Sequence, residues 1–112
     1  MSTVKQHHLS SAQLGAVARL FSVLAEPSRL ALLQALREGP LTVTELMKTA
    51  SMKQANVSKH LAILYTHDLV KRTRQGTSMQ YQIADPMIFS LCELVCDKME
   101  RDAKTESRHW QR

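Results

Sequence analysis

At 112 residues, the chain is the size of one domain, so its function must sit on a single core. Aromatic residues make up only 4%, with 3 Gly and 3 Pro, a composition that argues against a base-stacking RNA platform, a β-sandwich and a disordered chain. The net charge of +5 is unevenly spread: residues 1–84 carry ten basic and four acidic side chains, and residues 85–112 carry five and six, as expected of a polyanion-facing body followed by a near-neutral C-terminal element.

Ser10 and Ser11 can cap a helix in which Leu14, Val17, Ala18, Phe21, Leu24 and Ala25 recur at helical spacing, an apolar stripe that needs a partner. Pro27 suits the first turn of a second helix, and Leu30, Leu33 and Leu36 continue it until Gly39 and Pro40 stop it. The run from Thr42 to Glu45 reads as a capping box, in which hydroxyl and carboxylate satisfy free backbone N–H groups, and it opens a short helix to about Ala50.

The segment Lys53 to Tyr65 then turns Val57, Leu61 and Leu64 inward and leaves Lys53, Gln54, Asn56, Ser58 and Lys59 on a donor-rich outer face. His60 is a weaker candidate for that face, with packing or capping near the backbone as the competing account. From Leu69 the rhythm changes: Met79, Tyr81 and Ile83 alternate with Gln80 and Gln82, a period of two that predicts a hairpin. Its tip, Arg74 to Thr77, includes Gln75 and Gly76, and its first arm carries Lys71, Arg72 and Arg74.

Asp85 and Pro86 suit the start of a last helix with the stripe Ile88, Leu91, Cys92, Val95, Cys96 and Met99, running to about Lys104. Residues 10–104 are thus expected to form the one domain, with flexible ends at 1–9 and 105–112. No apolar run approaches the ~20 residues of a membrane span. The N-terminal MSTVKQHHLSS lacks the apolar core of a signal peptide, so a cytoplasmic location and no membrane partner are expected. Two cysteines are too few for a disulfide framework, and a reducing compartment keeps them as thiols.

The order of elements is that of a mainly α domain with a β-hairpin: two helices joined by the turn Ser51 to Ala55, followed by a basic wing, make a winged helix-turn-helix. One helix of such a module enters the major groove of double-stranded DNA while the wing's cations lie along phosphates or enter the minor groove. Gln54, Asn56 and Ser58 have groups that can read base edges, Lys53, Lys59, Arg72 and Arg74 can neutralise phosphates, and Gln75 sits at the wing tip. Any exposed helix is polar, so the outer face alone does not discriminate between solvation and DNA; the adjoining wing favours DNA.

Four segments, LFSVLAEPSRLALLQAL, VTELMKTA, MKQANVSKHLAILYTHDLV and KRTRQGTSMQYQI, closely resemble the ArsR family of winged-helix repressors, also called ArsR/SmtB. Together they fall within about residues 14 to 83. The resemblance implies a homodimer that occupies operator DNA and releases it when a small inorganic or redox inducer binds. In the family the N- and C-terminal helices form the dimer interface.

The family's metal positions are not filled by ligands here. Its thiolate box falls on Thr42 and Thr44, and a hydroxyl does not replace a soft-metal thiolate. Its C-terminal zinc site falls on Asp85, Met87, Lys98 and Arg101, and a Met, a Lys and an Arg do not rebuild it.

Cys92 and Cys96 remain, spaced i, i+4 on one helix face, with Cα atoms about 6 Å apart by helical geometry. Two such thiolates can grip a thiophilic ion, As(III), Sb(III), Cu(I) or Zn, with a third ligand from elsewhere on the dimer. They can instead be oxidised or carry a persulfide. A relaxed disulfide fits poorly at this spacing. Both also lie on the apolar stripe, and packing is the competing account, leaving a repressor whose sensor lies elsewhere. His7, His8 and His109 are candidate extra ligands on solvated ends, and the six Met are core filler. A thiol-dependent enzyme is the rival class, but mid-helix cysteines lack the helix N-terminus that activates a Cys-x-x-Cys thiol.

Overall fold

The computed structural model describes the backbone of residues 8–110 and the side chains of residues 8–105. The expectations for residues 1–7, His7 among them, and for the side chain of His109 lie outside the described residues. The chain runs α1 (Ser11–Leu24), α2 (Pro27–Ala35), a 3-10 turn (Leu36–Glu38), β1 (Leu41–Thr42), α3 (Val43–Ala50), α4 (Gln54–Thr66), β2 (Val70–Gln75), β3 (Ser78–Ile83) and α5 (Met87–Trp110).

Local chemistry accounts for the helix starts. Ser10 caps α1 in a reciprocal capping box with Gln13, its hydroxyl accepting from Gln13 N–H at 3.1 Å and Gln13 Oε1 accepting from Ser10 N–H at 2.8 Å. Thr42 and Glu45 form the expected box at α3, with bonds of 3.2 and 2.8 Å. Pro27 occupies the first turn of α2, and Glu26 caps it by accepting from Ser28 N–H at 2.6 Å. Asp85 Oδ1 accepts from Met87 N–H at 2.9 Å at the start of α5.

One cluster of buried side chains holds the body together: Leu32, Leu33 and Leu36 from α2 and its 3-10 extension, Leu46 from α3, and Val57, Leu61 and Leu64 from α4. Leu69, Val70 and Ile83 close it from the base of the hairpin, and Ile88 from α5. In α2 the inward set is corrected from the expected one. Leu30 is exposed and Leu32 is fully buried, because the core wraps around two adjacent rows of this short helix rather than following one.

The hairpin is part of a three-stranded antiparallel sheet in the order β1-β3-β2. Its outer strand β1, two residues paired as Leu41 with Tyr81 and Thr42 with Gln80, is too short to leave any periodic signal in the sequence. Gly76 and Thr77 connect β2 to β3, with the positive φ of 62° on Gly76, as a primed two-residue turn with glycine first requires.

Among the described residues, two apolar surfaces are left exposed. On α1, Leu14, Val17 and Phe21 of the expected stripe are exposed, with Phe21 at 56%. Among the described residues of α5 only Ile88 is buried; Leu91 and Cys92 are half-buried, while Val95, Cys96 and Met99 are exposed. α5 also continues to Trp110, past the Lys104 suggested by its stripe, since residues 105–110 contain no Gly or Pro to end it. The Cα radius of gyration, 17.1 Å, exceeds the roughly 13 Å of a compact domain this long, consistent with a long helix standing off the body.

Candidate nucleic-acid interface

The helix pair α3 and α4 is joined by three residues, Ser51 to Lys53, tighter than the Ser51 to Ala55 turn expected from sequence. Ser51 closes α3 in the left-handed region at φ 53°, and the N–H groups of Ser51 and Met52 donate to the carbonyls of Lys48 and Met47 at 3.4 and 3.0 Å. These bonds satisfy the last carbonyls of α3, and the half-buried Met52 side chain packs against the core. Lys53 then caps α4 through its backbone alone.

With Val57, His60, Leu61 and Leu64 buried, the α4 rotation is set, and Lys53, Gln54, Asn56, Ser58 and Lys59 are all exposed at its N-terminal half. Both the amides able to read base edges and the two lysines therefore sit at the end of the helix that a major groove would receive. From Lys71 through Gln75 the wing strand is exposed as well. The structure thus brings a polar helix face and a basic hairpin to the surface of one body.

Arg72 differs from its neighbours. Its guanidinium carbon lies 4.1 Å from the centre of the Tyr65 ring, near the C-terminus of α4. Hydrogen bonding to Tyr81 leads the causes that raise its pKa above the ordinary guanidinium value, with Tyr65 contributing next. No periodicity in the sequence marks this pairing.

His60, left open between the outer face and packing, is 7% exposed on the inner side of α4. Its Nδ1 lies 3.3 Å from Arg29 Nη1, and Arg29 Nε donates to Val23 O at 2.6 Å. Burial lowers the His60 pKa below its ordinary value, and the neighbouring Arg29 and Lys59 push the same way against Glu26.

Cys92 is half-buried against the core and Cys96 is exposed, both as free thiols. Between them, Glu93 accepts from Arg37 Nη2 at 2.6 Å, tying the 3-10 turn after α2 to α5. That bond raises the Arg37 pKa, with smaller contributions from the adjacent Cys92 and Cys96 sulfurs. Among the described residues no three His, Cys, Asp or Glu side chains cluster to hold a metal. One protomer's described residues therefore supply at most a two-thiol grip. No described helix is long and apolar enough to cross a membrane.

A sequence model described as bacterial regulatory protein, arsR family, matches residues 26–72, from the cap of α2 into the wing. Over 97 residues the chain is 35% identical to the transcriptional repressor SmtB homolog of Synechocystis sp., covering 87% of this chain and 74% of that one. The crystal structure of the antimony-specific transcriptional repressor AntR superposes with a TM-score of 0.79 at 35% identity, covering 91% of this chain and 93% of that chain. A solution structure from Mycobacterium bovis, described as a homodimeric winged helix-turn-helix DNA-binding domain, gives 0.71 at 29% identity, covering 87% and 95%.

Proposed function

The chain belongs to the arsR family of bacterial regulatory proteins, and from that membership we propose that it is a transcriptional repressor, not an enzyme, which binds operator DNA as a homodimer. The carrying observation is the exposed N-terminal half of α4 beside a basic wing, both projecting from one body. Gln54, Asn56 and Ser58 read base edges; Lys53, Lys59 and Arg74 neutralise phosphates, with Gln75 at the wing tip.

The dimer forms through α1 and α5. Exposed Leu14, Val17 and Phe21 on one helix and Leu94, Val95 and Met99 on the other are apolar surface that a monomer leaves in water. Joining them across a two-fold axis buries that surface and presents two copies of α4 about one DNA turn apart, near 34 Å. The relative from M. bovis, described as homodimeric, supports dimer formation.

Cys92 and Cys96 form the inducer site, one turn apart on the helix that crosses the dimer interface. A soft ion such as As(III) or Sb(III) engages both sulfurs, with a third ligand from the partner subunit or solvent, whereas a persulfide donor or an oxidant modifies a thiol instead. The antimony specificity named for AntR supports the soft-ion branch. Engagement repacks α5 and changes the spacing of the two recognition helices, so the operator is released. The half-buried setting of Cys92 also supports a second reading, in which the thiols only pack and the signal is sensed elsewhere.

The deciding experiment is a DNA mobility shift as a function of salt, repeated with As(III), Sb(III), Zn, Cu(I), a persulfide donor and an oxidant. Steep salt dependence and release by a thiol-directed agent are expected. Binding indifferent to salt overturns the DNA reading, and indifference to every agent leaves the cysteines as packing residues.

A further inference from the structure

The hairpin's two faces have different tasks. Val70 and its cross-strand partner Ile83 are buried where the sheet meets the core. Side chains alternate along a strand, so Arg72 and its partner Tyr81 continue that same face outward, followed by Arg74 and Met79. Lys71, Thr73 and Gln75 occupy the opposite face. Arg72 is therefore aimed back toward α4, and the 4.1 Å stack on Tyr65 follows from strand parity.

The wing's two strands are attached differently. Along one edge, β3 is held by backbone pairing to β1, through Tyr81 and Gln80. Along the other edge, β2 continues past Val70 with exposed residues, and from this stretch Arg72 reaches back to stack on Tyr65 of α4. Because β2 is paired with β3 along its whole length, the stack acts on the hairpin as a unit, and without it the angle of that unit to α4 is set at its base and at the two-residue pairing with β1.

From this geometry we infer that Arg72 is a positioning residue for DNA recognition: stacked on Tyr65, it sets the angle between wing and α4, and makes no phosphate contact itself. The inference rests on the DNA-binding reading above. It separates Arg72 from Arg74, which the sequence treats as equivalent cations two residues apart. The stack fixes the distance between the phosphate-binding tip and the base-reading face at Gln54 before DNA arrives, lowering the ordering cost of binding.

Two measurements test it. In the free protein, the Arg72 Nε–H resonance should be shifted upfield by the Tyr65 ring, and Tyr65→Ala should return it to the ordinary arginine position. An unshifted resonance in the wild type overturns the inference whatever DNA does.

The second measurement uses a duplex selected from a random pool by the wild-type protein. Arg72→Ala should weaken binding roughly two- to five-fold, the scale of an exposed cation–π pair, without changing the slope of log K against log salt. Tyr65→Ala should match it, the double variant should lose no more than either single one, and Tyr65→Phe should bind like wild type. Arg74→Ala, by contrast, should reduce the slope by about 0.9 for each phosphate it no longer neutralises. A similar reduction for Arg72→Ala makes it a phosphate ligand, and unchanged affinity removes its role; either result overturns the inference. A wild-type protein that selects no duplex removes the DNA-binding reading itself, and the positioning role with it.

Discussion

Arg29 and His60 meet between α2 and the underside of α4, with Nη1 and Nδ1 3.3 Å apart. A guanidinium has no acceptor, so the pair is hydrogen-bonded only when His60 is neutral and carries its proton on Nε2. Protonation converts Nδ1 into a second donor facing a cation, in a place where burial already disfavours the charge.

Stability should therefore depend on pH through this pair. The folded His60 pKa lies below the ordinary 6.5, so the unfolded chain binds the proton first. The contribution is fully present above that value. It is lost as pH falls from 6.5 through the folded pKa. Urea unfolding between pH 5 and 8 should show this loss, and His60→Gln, which keeps an acceptor without a titrating group, should flatten it. An unchanged pH profile in the variant would refute a contribution from this pair.

Base reading and phosphate binding should separate by mutation. Gln54→Ala is expected to cost about 1 to 3 kcal/mol on a selected operator and little on random DNA. Arg74→Ala should weaken both alike and make binding less sensitive to salt. Titrations of both duplexes at several salt concentrations check this, and equal losses for Gln54→Ala on the two duplexes would take the residue off the base-reading face.

Analytical ultracentrifugation should find a dimer at micromolar concentration. Placing a charge in the apolar faces, as in Phe21→Glu or Val95→Glu, should shift the protein to monomer while the far-ultraviolet helix signal stays largely intact, because both side chains are already exposed in one protomer. A wild-type monomer under those conditions refutes the two-fold arrangement.

Changing Cys92 and Cys96 together to Ser should leave operator affinity near wild type and abolish release. The coupling removed is ~1 to 3 kcal/mol, or roughly 5- to 150-fold in operator affinity. Continued release of the double variant by the same inducer would place the sensor elsewhere.

Loss of the Thr42 hydroxyl should destabilise the fold modestly and locally. Thr42→Ala removes one half of the α3 capping box, which typically costs about 1 kcal/mol. Leu61→Ala, deleting a side chain that is 1% exposed at the centre of the core, should cost about 2 to 5 kcal/mol. Denaturant melts that rank the two in the opposite order would contradict the core assignment.

Elements set by local chemistry were legible in the residues themselves. The Ser10 and Thr42 caps, Pro27, Gly76 and the period-two run through Ile83 each act within a few residues, and each stands where its chemistry predicts. The buried and outer faces of α4 were legible for the same reason, since one helical period determines both Val57-Leu61-Leu64 and the opposite polar set. Tertiary structure alone decided what depends on partners distant in the chain. Leu32 rather than Leu30 is buried because of how α2 meets α3 and α4, and β1 exists only because β3 lies beside it. Arg72 meets Tyr65, His60 meets Arg29, and Arg37 meets Glu93 across separations that no periodicity encodes. A cation in a strand reads the same in sequence whether it faces solvent, phosphate or an aromatic ring, and only the packing of the wing on α4 distinguishes Arg72 from Arg74.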